Sequence, residues 1–368
     1  MSDFSKNDDK VRNYFVHSSV LIDVDGASLN NWGKDNTNTQ GTDNATAVKK
    51  VFKNGRMYAL VAGQAWRYWW RESLGLNGWS LSPITRDSKV AFTDANPVKY
   101  ADDDIFGYMR AAKGEEVDEK GEVVLETKGK NKGKPKMANV TVTRVSPLQN
   151  SILTSVTPIR NINEFATMAR QDGDAVPYEK QSYSATLKGM FSLNLDQIGT
   201  FTKINRSGYK NVTDSKYQEI LENGGSEVPD LINPNILRAR LSNEIRLQRA
   251  KDTLIALKTI AGGAKRTTNY VSVKPDFIVL AVLKGGNNIF DNIAADEDGR
   301  ATLSIQALEE AIRDNKEYFR SDVYIGKATG FMDDVVIKEP SIDEIKINVG
   351  SINAMIDKFV EVLNTVVI

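Results

Sequence analysis

Apolar residues crowd the stretch Phe15–Val24, which is dominated by Val, Leu and Ile, and the next twenty positions, 25–44, are rich in Gly, Asn, Thr and Asp. That contrast predicts a strand followed by a long polar loop. Lys49–Phe52 predicts a short strand, Gly55 interrupts the pattern, and a helical period from Met57 to Leu74 predicts a helix closed by Gly75. Alternation returns at Asn139–Val145 and at Ser182–Leu195, where Tyr183, Ala185, Leu187, Gly189, Phe191, Leu193 and Leu195 share one face. Between these two strands, Ser146–Lys180 is interrupted by proline and poorly periodic, which predicts an inserted arm. Pro234 suits the first position of a long helix, and the pattern runs to the stop signal Gly262-Gly263. Beyond it, Phe277–Leu283 reads as a buried strand, Ser304–Tyr318 as a helix, Val323–Lys327 as a strand and Ser351–Val366 as a helix.

With the insertions set aside, the order is strand, helix, strand, strand, helix, strand. This is the split βαβ plan of ferredoxin-like and RNA-recognition folds, so the expected class is α+β in one elaborated domain over residues 1–368.

Composition narrows the function. The chain has 368 residues, 40% hydrophobic and 26% charged, enough for a substantial core. Its 48 basic and 48 acidic residues balance to zero, which counts against a simple nucleic-acid binder. The charges nevertheless segregate, and binding responds to local potential. Asp94–Glu122 is acidic, and Lys128, Lys130, Lys132, Lys134 and Lys136 follow with no intervening acid, as a solvated loop or a phosphate-contacting one. Arg238, Arg240, Arg246, Arg249, Lys251, Lys258, Lys265 and Arg266 are opposed only by Glu244 and Asp252, and Asp291–Asp298 is acidic again. Such blocks suit a protein that holds RNA on one face and its own neighbours through others.

There is no cysteine and a single histidine, His17, so thiolate zinc sites, cysteine nucleophiles and Ser-His-Asp triads find no match; no metal or cofactor is expected. His17, in a strand context, reads as structural. No apolar run approaches the roughly 20 residues that span a bilayer and the first ten positions are polar, so a cytoplasmic protein without membrane contact is expected.

Three groups of residues carry candidate chemistry. Asp35 and Asp43, in the loop after the first strand, could polarise a ribose hydroxyl or hold Mg²⁺, although turn chemistry alone places aspartate there. Gln64, Arg67 and Arg71 share a helix face suited to phosphate, with Tyr68 and Trp70 near enough to stack on bases; an amphipathic helix with solvent-facing arginines gives the same pattern. On the helix expected after Pro234, Arg238, Ser242, Arg246 and Arg249 can share a basic stripe, and Gly262-Gly263-Ala264-Lys265-Arg266 delivers two cations after a tight turn. Helix-end glycines and cations share that composition for purely structural reasons.

The motifs Ser28-Leu29-Asn30-Asn31, Gly55-Arg56-Met57-Tyr58 and Val61-Ala62-Gly63-Gln64-Ala65-Trp66-Arg67 with Arg71, and Gly262-Gly263 with Lys265, Arg266 and Pro275, resemble the DevR branch of the Cas-seven superfamily, the backbone of type I-B CRISPR Cascade. The resemblance implies a modified RNA-recognition fold shaped as a hand, with a palm, fingers over residues 75–138 and a thumb over 146–182. It implies a non-enzymatic subunit whose copies stack helically along CRISPR RNA and present it to target DNA, beside Cascade subunits of the Cas-five, Cas-six and large-subunit families. By the same analogy Asn30, Asn31, Gln64, Arg67, Arg71, Arg246, Gly262, Gly263, Lys265 and Arg266 contact RNA, Phe165 or Met168 is the thumb wedge, and the Lys128–Lys136 run suits DNA near the fingers. Related type III subunits cut target RNA with an aspartate after the first strand, an alternative that rests here on Asp35 or Asp43.

Overall fold

In the computed structural model, the described residues are 13–31, 47–87, 90–115, 124–168, 176–204, 210–336 and 341–366. The first strand, β1 (Tyr14–Ala27), is buried on both faces over most of its length, and it runs through the middle of an eleven-stranded mixed sheet. The other ten strands are β2 (Lys50–Lys53), β3 (Arg56–Val61), β4 (Leu148–Asn150), β5 (Leu153–Ser155), β6 (Ile162–Met168), β7 (Val176–Asn194), β8 (Phe277–Lys284), β9 (Val323–Lys327), β10 (Ser341–Ile342) and β11 (Ile345–Gly350). Their order is β10-β11-β9-β8-β1-β7-β5-β3-β2, with β4 and β6 also paired to β7. The pair β9–β11 is parallel, whereas β1 is antiparallel to both β7 and β8.

Six helices accompany the sheet among the described residues: α1 (Gly63–Leu76), α2 (Ala101–Phe106), α3 (Asp214–Glu222), α4 (Asn243–Ile255), α5 (Ile305–Asp314) and α6 (Ile352–Val366). The class is α+β. Along the chain α1 falls between β1 and β5, and α4 between β7 and β8.

Alternation on β1 explains how two cores form. Val16, Val20, Ile22 and Val24 turn to one face, where they join Trp66 and Trp70 of α1, Leu254 of α4 and Phe359 of α6. Leu21 turns to the other face, with Phe277, Val279, Leu308, Ile312 and Ile325. The first core contains Tyr183, Leu187, Phe191, Leu193 and Leu195, the face expected from the β7 pattern, with Ala185 packed against it. The Trp70 ring meets Phe191 edge-on at 5.0 Å, and its Nε1 donates to Thr253 O at 2.8 Å, fixing α1 against α4. Among the described residues no helix is long and apolar enough to cross a membrane.

Four expectations are corrected. The helix read from Met57 begins only at Gly63, because Arg56–Val61 pairs with β2 and β5; Ala59 and Val61 are buried at two-residue spacing. It also runs through Gly75 to Leu76. The long helix read from Pro234 is divided: Leu237–Arg240 is a strand beside Ser226–Pro229 and Thr200–Phe201, and α4 starts after its N-cap Ser242. The strand read at Asn139–Val145 pairs with Tyr108–Glu115 in a separate hairpin, so β5 takes the place beside β7.

The segment read as an arm contains β4 and β5, which belong to the main sheet. The arm itself is the hairpin of β6 with the start of β7, in register from Ile162 opposite Ser182 to Met168 opposite Val176. Residues 75–138 also include interior structure, since Asp102, Asp103 and Asp104 of α2 are buried.

His17 is structural. Its Nε2 donates to Gly285 O at 2.8 Å and its Nδ1 lies 2.7 Å from Ser192 Oγ, tying β1 to β7 and to the turn after β8. Burial lowers its pKa, an effect only partly offset by the Gly285 carbonyl. The unfolded chain therefore binds a proton, below pH about 6.5, that the native state resists. Stability present above that pH should fall as pH drops toward the lower native pKa. Thermal melts at pH 7 and pH 5 (about two units apart, bracketing the free imidazole value) should show a larger loss for the wild type than for His17→Gln; equal losses would refute the assignment.

Candidate nucleic-acid interface

Three segments far apart in sequence meet beside the root of the arm. The loop after α4 is drawn in by Gly262, where a Cβ would stand 2.1 Å from Trp69 Cγ, and turned by Gly263 at a φ of 113°. The loop then grips the end of β1: Ala264 N donates to Leu29 O at 3.0 Å, and Asn269 Nδ2 donates to Gly26 O at 3.0 Å. Asn30 is buried and donates from Nδ2 to Leu60 O at 2.8 Å. Leu60 N in turn donates to Lys49 O at 3.0 Å. Lys49, Lys50, Val51 and Leu60 line an open cleft of about 520 Å³ among the described residues.

The arm supplies the third segment. Lys180 Nζ sits 2.7 Å from a Glu164 carboxylate oxygen and donates to Asn269 Oδ1 at 3.2 Å. Lys265 is half-buried beside them; burial and the Lys180 charge push its pKa down, while Glu164 pulls it up. Two cations thus share one carboxylate, and an incoming anion relieves their repulsion. Arg266 is exposed, with its guanidinium 5.9 Å from the Tyr270 ring centroid.

Of the residues expected to contact RNA, the fold gathers Asn30, Gly262, Gly263, Lys265 and Arg266 here, with Asn31 exposed next to Asn30. Gln64 is exposed in the first turn of α1. Phe165 and Met168 lie on β6 of the arm, 69% and 55% exposed. The lysines from Lys128 to Lys134 are exposed around a short 3-10 turn. Asp35 and Asp43 lie outside the described residues.

Three arginines expected at the interface are occupied inside the fold instead. Arg67 donates to Leu148 O (2.6 Å), Asn150 Oδ1 (2.9 Å), Phe106 O (2.8 Å) and Ser146 Oγ (2.9 Å), and burial lowers its pKa to about 10. Arg71 pairs with Asp102 at 2.7 Å and donates to Ser82 O. Arg246, 2% exposed, donates to Ile198 O and Leu195 O, each at 2.9 Å. Their geometry positions backbone segments rather than presenting donors to a ligand.

The expected basic stripe meets the same fate. Arg249 pairs with Asp104 of the acidic block at 2.7 Å and Arg238 with Asp196 at 2.7 Å, so these cations of the basic block are neutralised in the interior. Trp70 is core, and only Tyr68 of the two expected stacking rings is exposed. Sequence reasoning missed Lys49, Lys50, Lys180, Asn269 and Tyr270. The Lys49-Lys50 pair was a visible signal, whereas Lys180 and Asn269 become neighbours only through the pairing of the arm.

A family model described as "CRISPR-associated negative auto-regulator DevR/Csa2" matches residues 19–298. No curated protein matches the chain. Two solved structures resemble it in outline at 13% identity: a "CRISPR RNA-guided surveillance complex", covering 94% of this chain and 98% of that one with a TM-score of 0.47, and a pre-nicking form of such a complex, covering 94% and 99% with a TM-score of 0.48.

Two substitutions separate scaffold from interface. Arg67→Ala strands several buried acceptors, so denaturant unfolding should show a loss of roughly 2–4 kcal/mol. Asp104→Asn leaves Arg144 and Arg249 without their buried counter-charge, and the same measurement should show a loss of about 3–5 kcal/mol. Unchanged midpoints would contradict the internal roles.

Proposed function

This chain belongs to the CRISPR-associated DevR/Csa2 family, and from that premise we propose that it is a non-catalytic backbone subunit that binds guide RNA in a type I Cascade-type complex. Copies stack helically along the CRISPR RNA and present it for pairing with target DNA, with other Cascade subunits at their flanks, in the cytoplasm. The subtype that the sequence motifs resemble is I-B.

The observation that carries this reading is the cation cluster at the arm root, where Lys180 pairs with Glu164, Lys265 lies half-buried near both, and Arg266 stands exposed beside it. Such a site favours a phosphate. The central strand order β8-β1-β7-β5, with α1 and α4 as the intervening helices, supports an RNA-recognition-type palm. The β6–β7 hairpin fits a thumb with Phe165 or Met168 as its wedge, and the hairpin of Tyr108–Glu115 with Met137–Arg144 fits part of the fingers. A non-catalytic role is supported by His17, the only histidine, being buried and engaged within the sheet.

Phosphate contacts position a strand without reading its sequence. Lys265→Ala and Arg266→Ala should therefore weaken RNA binding across unrelated sequences, each lowering the slope of log affinity against log salt by about 0.7. Filter binding at several salt concentrations measures this, and a loss confined to one sequence would sink the reading. Regularly spaced cleavage of complementary RNA with Mg²⁺, abolished by Asp35→Ala or Asp43→Ala, would replace it with an RNA-cutting subunit.

A further inference from the structure

Tyr270 is 75% exposed, so a large ring forgoes the burial that normally makes aromatics stabilising. Its mount is fixed nonetheless. Asn269, the preceding residue, donates to Gly26 O and accepts from Lys180 Nζ, and the amides of Thr268 and Asn269 close a turn on Lys265 O at 3.1 and 2.8 Å. The loop therefore holds the ring out into solvent from a backbone tied to β1 and to the arm.

The neighbours of the ring define what it can take. Arg266 places its guanidinium 5.9 Å from the ring centroid, and Lys265, half-buried near the Lys180 charge, begins the same turn. Cations that attract phosphate and an open aromatic face thus occur within six residues. A duplex hides the faces of its bases, whereas a single strand offers alternating phosphates and unstacked bases.

We infer that Tyr270 is a stacking platform for an unpaired base of the RNA strand, with Lys265 and Arg266 holding the adjoining phosphates. This inference rests on the RNA-binding reading above and adds to it a base-contacting residue. Because every base has a π-face, the contact tolerates any base.

The test compares a labelled oligouridylate with a ribose-phosphate chain of equal length that lacks bases, each titrated into the full chain and followed by fluorescence anisotropy. Tyr270→Ala should weaken oligouridylate binding on the order of 10-fold, while Tyr270→Trp preserves it. All three proteins should bind the baseless chain alike, and the exposed position predicts unchanged melting temperatures. Equal weakening of both ligands, or no weakening of either, overturns the stacking role while leaving RNA binding intact. A change in assembly size with unaltered affinity overturns it in favour of a contact between copies. If the wild type binds neither ligand, the RNA-binding reading itself fails and the platform with it.

Discussion

The carboxylate of Asp104 is the point on which much of this fold turns. It is fully buried, yet it accepts from Arg144 at 2.6 Å, from Arg249 at 2.7 Å and from Gly199 N at 2.8 Å. Those partners come from the hairpin of Tyr108–Glu115 with Met137–Arg144, from α4 and from the turn after β7, so one acid joins α2 to three separate parts of the chain. Arg144 also caps the Phe201 ring at 4.6 Å and donates to Thr200 O. A buried charge left unpaired costs several kcal/mol, whereas a completed cluster roughly breaks even. The cluster therefore enforces arrangement more than it adds stability: any packing that separates α2 from α4 is penalised heavily.

The position of the interface follows from that arrangement. With α4 held against α2, and with Trp70 bonded to Thr253, α1 and α4 lie side by side, and the loop leaving α4 passes directly over Trp69. Only a residue without a side chain fits at Gly262, so the glycine that resembles a ligand-binding turn is dictated by helix packing. The same loop then reaches the end of β1 through Ala264 and Asn269. Scaffold and interface cations consequently sort by partner. Arg67, Arg71, Arg144, Arg238, Arg246 and Arg249 sit among buried carbonyls and carboxylates, whereas Lys265 shares one acid with Lys180.

What was legible in the sequence was whatever depends on local period. The strand Val323–Lys327 is found with both expected ends, the C-terminal helix starts one residue later than expected, and the inward face of β7 is the one read from alternation. Failures arose where long-range pairing overrides period. Arg56–Val61 carries a helical pattern but becomes a strand because β2 and β5 flank it. The acidic run at Asp102–Asp104 and the basic run from Arg238 to Arg249 looked like opposed surfaces because nothing local reveals that they meet. Charge blocks far apart in sequence can be each other's solvent substitute, and only tertiary structure tells that case from a binding face.

The arm shows how that distinction bears on function. Lys180 belongs to β7, the longest strand of the sheet, in the part that pairs with β6. Through Asn269 it is bonded to the loop that also holds Gly26, and through Glu164 it is bonded to the opposite strand of the arm. The arm root, the end of β1 and the loop after α4 therefore share one small electrostatic set. An anion attracted to Lys265 and Lys180 competes directly with Glu164 for the same ammonium. The charge of any anion drawn to Lys265 and Lys180 is in this way coupled to the contact that fixes the arm at its root.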